Sequence, residues 1–259
     1  MNENDLRYLL KEKYNYNETQ LLELKIGKIR TVNKEIEEDI KKLEEGVPVA
    51  YLIGYVEFLN TRINLNYRTL IPRPETEYWT EIYINKLKHQ NLQILDIFCG
   101  SGCIGIALAK NLPLAHITLT DISDEAINQT TENAKINDIS LQKIEIIKSN
   151  IFESIPKKKF DYIFANPPYV ENIYMKMGDR GLKYEPATAL FGGEDGMQVI
   201  EKFIDKLIDY LAKNGTCIME FGDNQQDKVK EILLKNKFNK FEFFKDQFGV
   251  IRWVEIKNS

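Results

Sequence analysis

Short apolar runs that alternate with segments of helical periodicity constrain the fold of this chain more than any other feature. Runs suited to strands occupy residues 94–98, 116–120, 144–147, 162–165 and 215–220, and segments suited to helices lie between several of them. Alternation of this kind requires a mostly parallel sheet with helices on both faces. Two further β-like runs near the end of the chain predict antiparallel pairing at one edge. The sequence therefore predicts an α/β fold.

The first 70 residues have a different pattern. Residues 1–48 carry apolar side chains at helical spacing in a charged background, which predicts a small helical domain. Residues 49–70 have alternating apolar positions on both sides of Asn60 and Thr61, which is typical of a β-hairpin. We therefore expect a helical domain at 1–48, a hairpin linker at 49–70 and the α/β domain at 71–259.

Composition excludes several classes of protein. Of the 259 residues, 43% are hydrophobic and 29% are charged, which is typical of a soluble globular protein. No apolar run approaches the roughly 20 residues that a membrane-spanning helix needs, and the acidic, polar first residues argue against a signal peptide. The net charge of −4, without a basic stripe, argues against direct binding of nucleic acid. We expect a cytoplasmic protein with no membrane partner.

The three cysteines, Cys99, Cys103 and Cys217, all lie in apolar segments. An odd number of cysteines in such segments favours buried, reduced thiols over disulfides. Because the chain contains only two histidines, His89 and His116, we expect no metal site.

A glycine-rich turn follows the first strand of the α/β region. In the run Gly100-Ser101-Gly102-Cys103-Ile104-Gly105, glycines let the backbone turn tightly and approach a ligand at the start of a helix. Asp121 ends the second strand at a spacing that suits a carboxylate accepting both hydroxyls of a ribose. A helix N-cap is the alternative for Asp121. The turn also matches the dinucleotide fingerprint, so a nicotinamide-dependent oxidoreductase is an alternative for the protein.

The fourth strand ends in Asn166-Pro167-Pro168-Tyr169. Consecutive prolines fix the backbone and supply carbonyls without N–H groups of their own. The Asn166 amide oxygen and the Pro167 carbonyl could accept both hydrogens of an NH₂ group, while Tyr169 stacks on the flat group that carries it. An ordinary turn is the alternative. Because this strand end and the glycine turn face one crevice of an open α/β sheet, the pair favours methyl transfer to nitrogen over hydride transfer.

With these motifs in view, the chain resembles the HemK-type methyltransferases, which modify a glutamine of peptide-chain release factors. The likeness covers Val47 to Val254, and its most specific segment is Ile71-Pro72-Arg73-Pro74-Glu75-Thr76-Glu77. The other shared segments are 51–54, 57–58, 95–102, Asp121, 166–170, 184–186, 189–190, 192–196, 220–222, Asp246, Gly249 and Arg252.

The resemblance implies a Rossmann-like class I methyltransferase fold, whose mostly parallel seven-stranded sheet has an antiparallel edge strand. It implies S-adenosylmethionine as the cofactor and the glutamine of the Gly-Gly-Gln loop of a release factor as the acceptor. It also makes residues 1–48 a substrate-recognition domain. A glutamine of a ribosomal protein, or an exocyclic amine of adenine or guanine in DNA or RNA, is the alternative acceptor.

Site residues follow from the resemblance by position. Asn166, Pro167, Pro168 and Tyr169 would hold the glutamine, and Asn166, Pro167 and Tyr169 would be catalytic. Three positions depart from the family, since Phe98 replaces a usual glycine, Asn150 replaces a common acidic residue and Ile151 stands where an aromatic residue is frequent. The residues assigned to the cofactor pocket are Phe98, Cys99, Gly100, Ser101, Gly102, Asp121, Ile151 and Asn166.

Overall fold

The computed structural model describes residues 2–25, 33–177 and 182–258. Four helices and a hairpin come first. The helices are α1 (Glu3–Tyr14), α2 (Glu18–Lys25), α3 (Lys34–Glu44) and α4 (Val49–Ile53), and the antiparallel hairpin pairs β1 (Tyr55–Phe58) with β2 (Thr61–Asn64).

The remaining helices and strands alternate as the sequence predicts. They are α5 (Pro74–Leu87), β3 (Gln93–Ile97), α6 (Cys103–Asn111), β4 (His116–Asp121), α7 (Asp124–Ile136), β5 (Ile144–Lys148), β6 (Phe160–Ala165), α8 (Asn172–Met177), a 3₁₀ turn (Leu182–Tyr184), α9 (Ala187–Leu190), α10 (Gln198–Tyr210), β7 (Leu211–Glu220), α11 (Gln226–Lys235), β8 (Phe241–Lys245) and β9 (Ile251–Lys257).

Within the described residues these strands form one seven-stranded sheet in the order β5-β4-β3-β6-β7-β9-β8. The strands from β5 to β7 are parallel, and β9 pairs antiparallel with both β7 and β8. The predicted mostly parallel sheet with antiparallel pairing at one edge is confirmed. Strand order reverses between β3 and β6, which creates a crevice at the carboxyl ends of these two strands.

Both faces of the sheet are covered, so its central strands are buried on either side. In β3, Ile94 contributes to the apolar cluster on one face, whereas Leu95 and Ile97 contribute to the cluster on the other. Successive side chains of a strand point to opposite faces, so a strand covered on both sides needs a continuous apolar run. This requirement explains the predominantly apolar runs of the central strands β3 and β6.

The apolar pattern of Tyr51 to Ile53 suggests a strand, but these residues lie in the short helix α4. Pro48 precedes this helix with a φ of −55°, and Gly54 ends it with a φ of +92° while its N–H donates to the Ala50 carbonyl. Proline and glycine are suited to the beginning and end of a helix, respectively. The hairpin therefore begins only at Tyr55.

Polar side chains of α7 and of the residue that caps its C-terminus bind the hairpin to the rest of the chain. Asn133 accepts from the N–H and donates to the carbonyl of Asn64, at 2.9 and 3.1 Å. One helical turn later, Asn137 makes the same pair of bonds with Arg62, at 3.0 and 2.7 Å. These contacts satisfy backbone groups along the edge of β2 that no neighbouring strand pairs within the described residues. Asn133 also donates to the Ser101 carbonyl, which links the hairpin to the glycine turn.

Cys99, Cys103 and Cys217 are free and buried, which confirms the predicted buried thiols. Among the helices described here, none is both long and apolar enough to cross a membrane.

Candidate active site

A cavity of about 670 Å³ opens at the carboxyl ends of the parallel strands. Its wall includes Thr120 and Asp121 at the end of β4, Ser149 to Ile151 after β5, and Asn166 and Pro168 after β6. The glycine turn after β3 supplies another part of the wall through residues 98–101. The fold therefore brings together segments that the sequence separates by almost seventy positions.

The two turn glycines have different surroundings. Gly100 has a φ of +55°, and no atom of the described residues, apart from its own and those of its two chain neighbours, lies within 4 Å of the place where a β-carbon would stand. Gly102 has a φ of +80°, but a β-carbon there would meet Ile106 and Thr130 at 2.9 Å. Gly100 therefore lines the cavity and lets a ligand approach the backbone, whereas Gly102 is required by helix packing and is not among the cavity-lining residues.

Asp121 holds the glycine turn through its carboxylate. Its Oδ2 accepts from the Gly100 N–H and its Oδ1 accepts from the Ser123 N–H, both at 2.9 Å. Burial raises the pKa of Asp121, although these backbone donors oppose the shift. The N-cap of α7 is Ser123, so the alternative reading of Asp121 as the cap is wrong. Each carboxylate oxygen keeps a lone pair that a ligand hydroxyl could use.

Phe98 and Ile151 line the cavity in a conformation that favours glycine. Their φ values are +64° and +51°, in the left-handed region, which costs roughly 1–2 kcal/mol for a residue with a β-carbon. The Phe98 ring packs edge-on against Phe203, with ring centroids 5.7 Å apart. Phe98 thus keeps a backbone turn that suits glycine and adds an apolar contact with Phe203.

The residues after β6 only partly face the cavity. Asn166 is half-buried and lines it together with Pro168, while Pro167 is buried and neither Pro167 nor Tyr169 is a lining residue. The Asn166 Nδ2 donates to Thr76 Oγ1 at 3.2 Å. The Tyr169 hydroxyl donates to Glu220 Oε1 at 3.0 Å, and burial together with Glu220 raises its pKa well above the usual value.

The glycine-rich loop of residues 192–196 packs against the segment that follows Asn166. The Val170 N–H donates to the Leu190 carbonyl at 2.8 Å, and the Gly192 N–H donates to the Val170 carbonyl at 2.9 Å. The Gln225 side chain donates to the Tyr169 carbonyl at 2.8 Å. A β-carbon on Gly196 would lie 2.2 Å from the same carbonyl oxygen. The backbone after Asn166 is therefore held on several sides.

Arg73 and Glu185, whose roles the sequence leaves open, form an ion pair with each other. The other carboxylate oxygen of Glu185 accepts from the Ile71 N–H at 3.0 Å. Glu185 is buried and Arg73 is half-buried, and both line the cavity. This pair joins the proline-rich segment before α5 to the segment that precedes Pro186. Because Glu185 balances its charge, Arg73 is already paired within the protein.

This chain is similar to known methyltransferases in both sequence and fold. A family model described as the methyltransferase small domain matches residues 74–178. A release factor glutamine methyltransferase of Lactococcus lactis subsp. lactis (strain IL1403) is 33% identical over 257 residues, which cover 98% of this chain and 93% of the relative. One of Streptococcus pneumoniae (strain ATCC BAA-255 / R6) is 38% identical over 226 residues, which cover 86% of this chain and 80% of the relative. The chain belongs to the release factor glutamine methyltransferase family.

The fold of this release factor glutamine methyltransferase family member is found in solved structures as well. A methyltransferase from Pyrococcus furiosus superposes with a TM-score of 0.58 at 19% identity, covering 85% of this chain and 97% of that chain. At this identity the likeness concerns the fold, which is that of class I methyltransferases. Family membership also decides the reaction class in favour of methyl transfer, against the nicotinamide-dependent alternative.

A group of hydrogen-bonded side chains beside the site of this family member was not predicted from the sequence. Thr76 Oγ1 and Trp79 Nε1, both from the first turns of α5, donate to Glu220 Oε2 at 2.7 and 2.8 Å. Glu220 ends β7 and is 1% exposed. The available signal was that Thr76 and Glu220 belong to segments shared with the family, although nothing in the sequence pairs them.

The buried carboxyl group of Asp96 should make the stability of this methyltransferase depend on pH. Its Oδ2 accepts from the Gly105 N–H at 2.8 Å, its Oδ1 is buried and has no hydrogen-bond partner among the described residues, and burial raises its pKa to about 8. A folded-state pKa above the unfolded value of 3.8 means that the folded chain binds this proton more tightly. The resulting stabilisation is complete below about pH 4 and is lost as pH rises through about 8.

We therefore expect Asp96→Asn to become more stable relative to wild type as pH rises from about 5.5 to about 7.5. Asparagine keeps the acceptor for Gly105 but has no charge to bury. The difference in the free energy of unfolding should grow by about 1.4 kcal/mol per pH unit in this window. Urea unfolding of both proteins at several pH values measures it, and a difference that stays constant would show that Asp96 does not titrate there.

Proposed function

We propose that this protein transfers a methyl group from S-adenosylmethionine to the side-chain nitrogen of the glutamine in the Gly-Gly-Gln loop of peptide-chain release factors. The observation that carries the proposal is the position of Asn166 in the same cavity as Gly100 and Asp121. An acceptor for an amide hydrogen thus lies beside a turn suited to the cofactor. Relatives that are named release factor glutamine methyltransferases support the choice of acceptor.

The residues around the glycine turn suit S-adenosylmethionine. The open space beside Gly100 admits a ligand against the backbone, and the Asp121 carboxylate can accept from both ribose hydroxyls while it keeps its two backbone donors. Phe98 and Ile151 would flank the cofactor with apolar surface. When bound, the cofactor supplies an electrophilic methyl group on a sulfonium.

The residues after β6 would prepare the acceptor nitrogen. An amide nitrogen is a poor nucleophile because its lone pair is delocalised into the carbonyl group. The Asn166 Oδ1 and the Pro167 carbonyl would accept its two hydrogens, which aims the nitrogen and stabilises the positive charge that develops on it. As the new N–C bond forms and the sulfonium C–S bond breaks, one of these two hydrogens would leave the nitrogen as a proton to solvent. Tyr169 lies next to the cavity wall rather than in it; its ring would stack on a carboxamide that extends past Asn166 and Pro168, and its anchored hydroxyl would fix the ring.

Mass spectrometry tests the proposal directly. The protein is incubated with isotopically labelled S-adenosylmethionine and a purified release factor, and the digested factor is analysed. We expect one labelled methyl group on the glutamine of the Gly-Gly-Gln loop. Label that appears instead on ribosomal protein or on nucleic acid would assign the enzyme to the alternative acceptors.

Asp121→Ala should weaken cofactor binding by at least about tenfold, because it removes a charged acceptor and also frees the Gly100 N–H that shapes the turn. Isothermal titration with S-adenosylmethionine measures the change. Glu125→Gln is the matched control, since it removes the same charge from an exposed position on the cavity wall. An unchanged affinity in Asp121→Ala would remove this carboxylate from the cofactor pocket.

We also propose that the helices of residues 1–48 help to recognise the folded release factor. They contact the rest of the chain, since the Tyr55 hydroxyl donates to Glu12 and the Tyr184 hydroxyl donates to the Glu45 carbonyl. Deletion of residues 1–46 should therefore lower activity on the whole factor more than on a short Gly-Gly-Gln peptide. The ratio of the two activities is the measurement, because a damaged catalytic domain would lose both. An unchanged ratio would refute the role.

A further inference from the structure

Asn166 can present its carboxamide to the cavity in two ways, since rotation by about 180° exchanges its oxygen and its nitrogen. Only the oxygen can accept a hydrogen from a substrate NH₂ group. The carboxamide has one hydrogen-bond partner in the described part of the chain, which is Thr76 Oγ1 at 3.2 Å. The direction of that bond therefore decides which atom faces the cavity.

The surroundings of Thr76 determine this direction. Thr76 is 1% exposed, and its hydroxyl carries a single proton. Its other partner is Glu220 Oε2 at 2.7 Å, and the same carboxylate oxygen faces Trp79 Nε1 at 2.8 Å. The indole N–H can only donate, and an ionised carboxylate can only accept. The Thr76 proton therefore goes to Glu220, which leaves the hydroxyl oxygen as an acceptor for Asn166.

The Glu220 carboxylate has enough donors to be stable in this position. It accepts from Thr76 and Trp79 at Oε2 and from the Tyr169 hydroxyl at Oε1. Burial raises the pKa of Glu220, while these three donors and the positive charge of Arg252 oppose the shift and favour the ionised form. Buried carboxylates are tolerated when donors of this kind surround them. Glu220 thus contacts Tyr169 directly and Asn166 through Thr76, so that the four residues form one hydrogen-bond network beside the cavity.

We infer that Glu220 and Thr76 are positioning residues that set the orientation of the Asn166 carboxamide, so that Nδ2 points to Thr76 and Oδ1 points to the cavity. Neither residue needs to contact the acceptor for this role. The inference rests on the proposed function, since it takes Asn166 Oδ1 as the acceptor for the glutamine amide. Without Thr76 as an acceptor, the carboxamide would populate the unproductive orientation as well.

Thr76→Val tests the inference, because valine has nearly the same shape as threonine but no hydroxyl. We expect kcat on release factor to fall between about 10- and 100-fold, as expected for a misplaced catalytic group. The Kd for S-adenosylmethionine should stay within about twofold. Thr76→Ser keeps the hydroxyl and should retain wild-type kcat within about threefold. A Thr76→Val enzyme with wild-type kcat, or an equal loss in Thr76→Ser, would overturn the inference.

Glu220→Gln provides an independent check. The glutamine oxygen can accept from Thr76 and Trp79 while its NH₂ group faces Tyr169, so the direction of the Thr76 bond is kept without the charge. We expect kcat to fall less than in Thr76→Val, because the loss of the Tyr169 bond to Oε1 is then the remaining change. A Glu220→Gln enzyme that is folded but as slow as Thr76→Val would overturn the proposed direction of the bond, because charge rather than orientation would then be decisive.

The Asn166 side-chain amide gives a readout that needs no substrate. In ¹⁵N-labelled protein, the Nδ2 proton signals are assigned by their loss in Asn166→Ala. We expect Thr76→Val to shift them and Thr76→Ser to leave them near their wild-type positions. Unshifted signals in Thr76→Val would refute the inference whatever the substrate is. Absence of methylation by the wild-type enzyme would instead refute the proposed function.

Discussion

Asn166→Ala should reduce turnover on release factor by roughly 10²- to 10³-fold, the usual effect of removing one preorganised group that stabilises developing charge. Its affinity for S-adenosylmethionine should change by no more than about threefold. The reason is that Asn166 follows β6, whereas the glycine turn follows β3 and Asp121 ends β4, and these two keep their mutual hydrogen bond. Single-turnover rates and calorimetric Kd values measure the two quantities separately.

Asn150→Ala is the matched control for this substitution. Asn150 is another asparagine of the cavity wall, but it follows β5, is exposed, and uses its Nδ2 to donate to Glu153. We expect its turnover at saturating cofactor to stay within about threefold of wild type. If Asn166→Ala retained turnover, Asn166 would not hold the acceptor. If both variants were equally slow, the loss would reflect a general disturbance of the cavity.

Sequence could predict the sheet and much of its crevice because both depend on local patterns. An apolar run such as residues 162–165 forms a buried strand wherever helices cover both faces. In a parallel sheet the carboxyl ends of the strands meet at one edge, so Gly100, Asp121 and Asn166 lie in one cavity. Knowledge of which residues end each strand was therefore sufficient to place them together.

Sequence could not predict the polar contacts that hold the crevice in shape. Thr76 and Glu220 are 144 positions apart, and a glutamate at the end of a strand usually lies in solvent. The polar residues Gln129 and Asn133 of α7 are 0% exposed because they bind the hairpin and the glycine turn. Polarity alone would place them on the outer face of the helix. Their burial depends on tertiary partners that no local pattern encodes.

The backbone at Phe98 and Ile151 was also beyond sequence reasoning. Both residues have a positive φ, which is rare for aromatic and β-branched side chains. The family glycine at position 98 gave a hint for the first of them. No such hint existed for Ile151, whose conformation follows from the sharp turn after β5 that brings residues 149–151 to the cavity.

Gly196→Ala should disturb the acceptor side of the site from a residue that does not line the cavity. Its β-carbon would stand 2.2 Å from the Tyr169 carbonyl oxygen, which has little freedom because Gln225 donates to it. The backbone after Asn166 must therefore move. We expect a loss of about 1–3 kcal/mol in the free energy of unfolding from overpacking, together with a fall in turnover of about 100-fold.

Gly249→Ala is the matched control, because it separates this collision from the cost of a positive φ. Gly249 has a φ of +83°, close to the +75° of Gly196, but in the described part of the chain a β-carbon there meets no atom within 4 Å beyond its two chain neighbours. Both variants therefore lose about 1–2 kcal/mol to the left-handed conformation, and only Gly196→Ala pushes on Tyr169. Urea unfolding and turnover of the two proteins, measured side by side, isolate the difference. Equal stability and equal turnover in both would mean that this loop does not position the residues after β6.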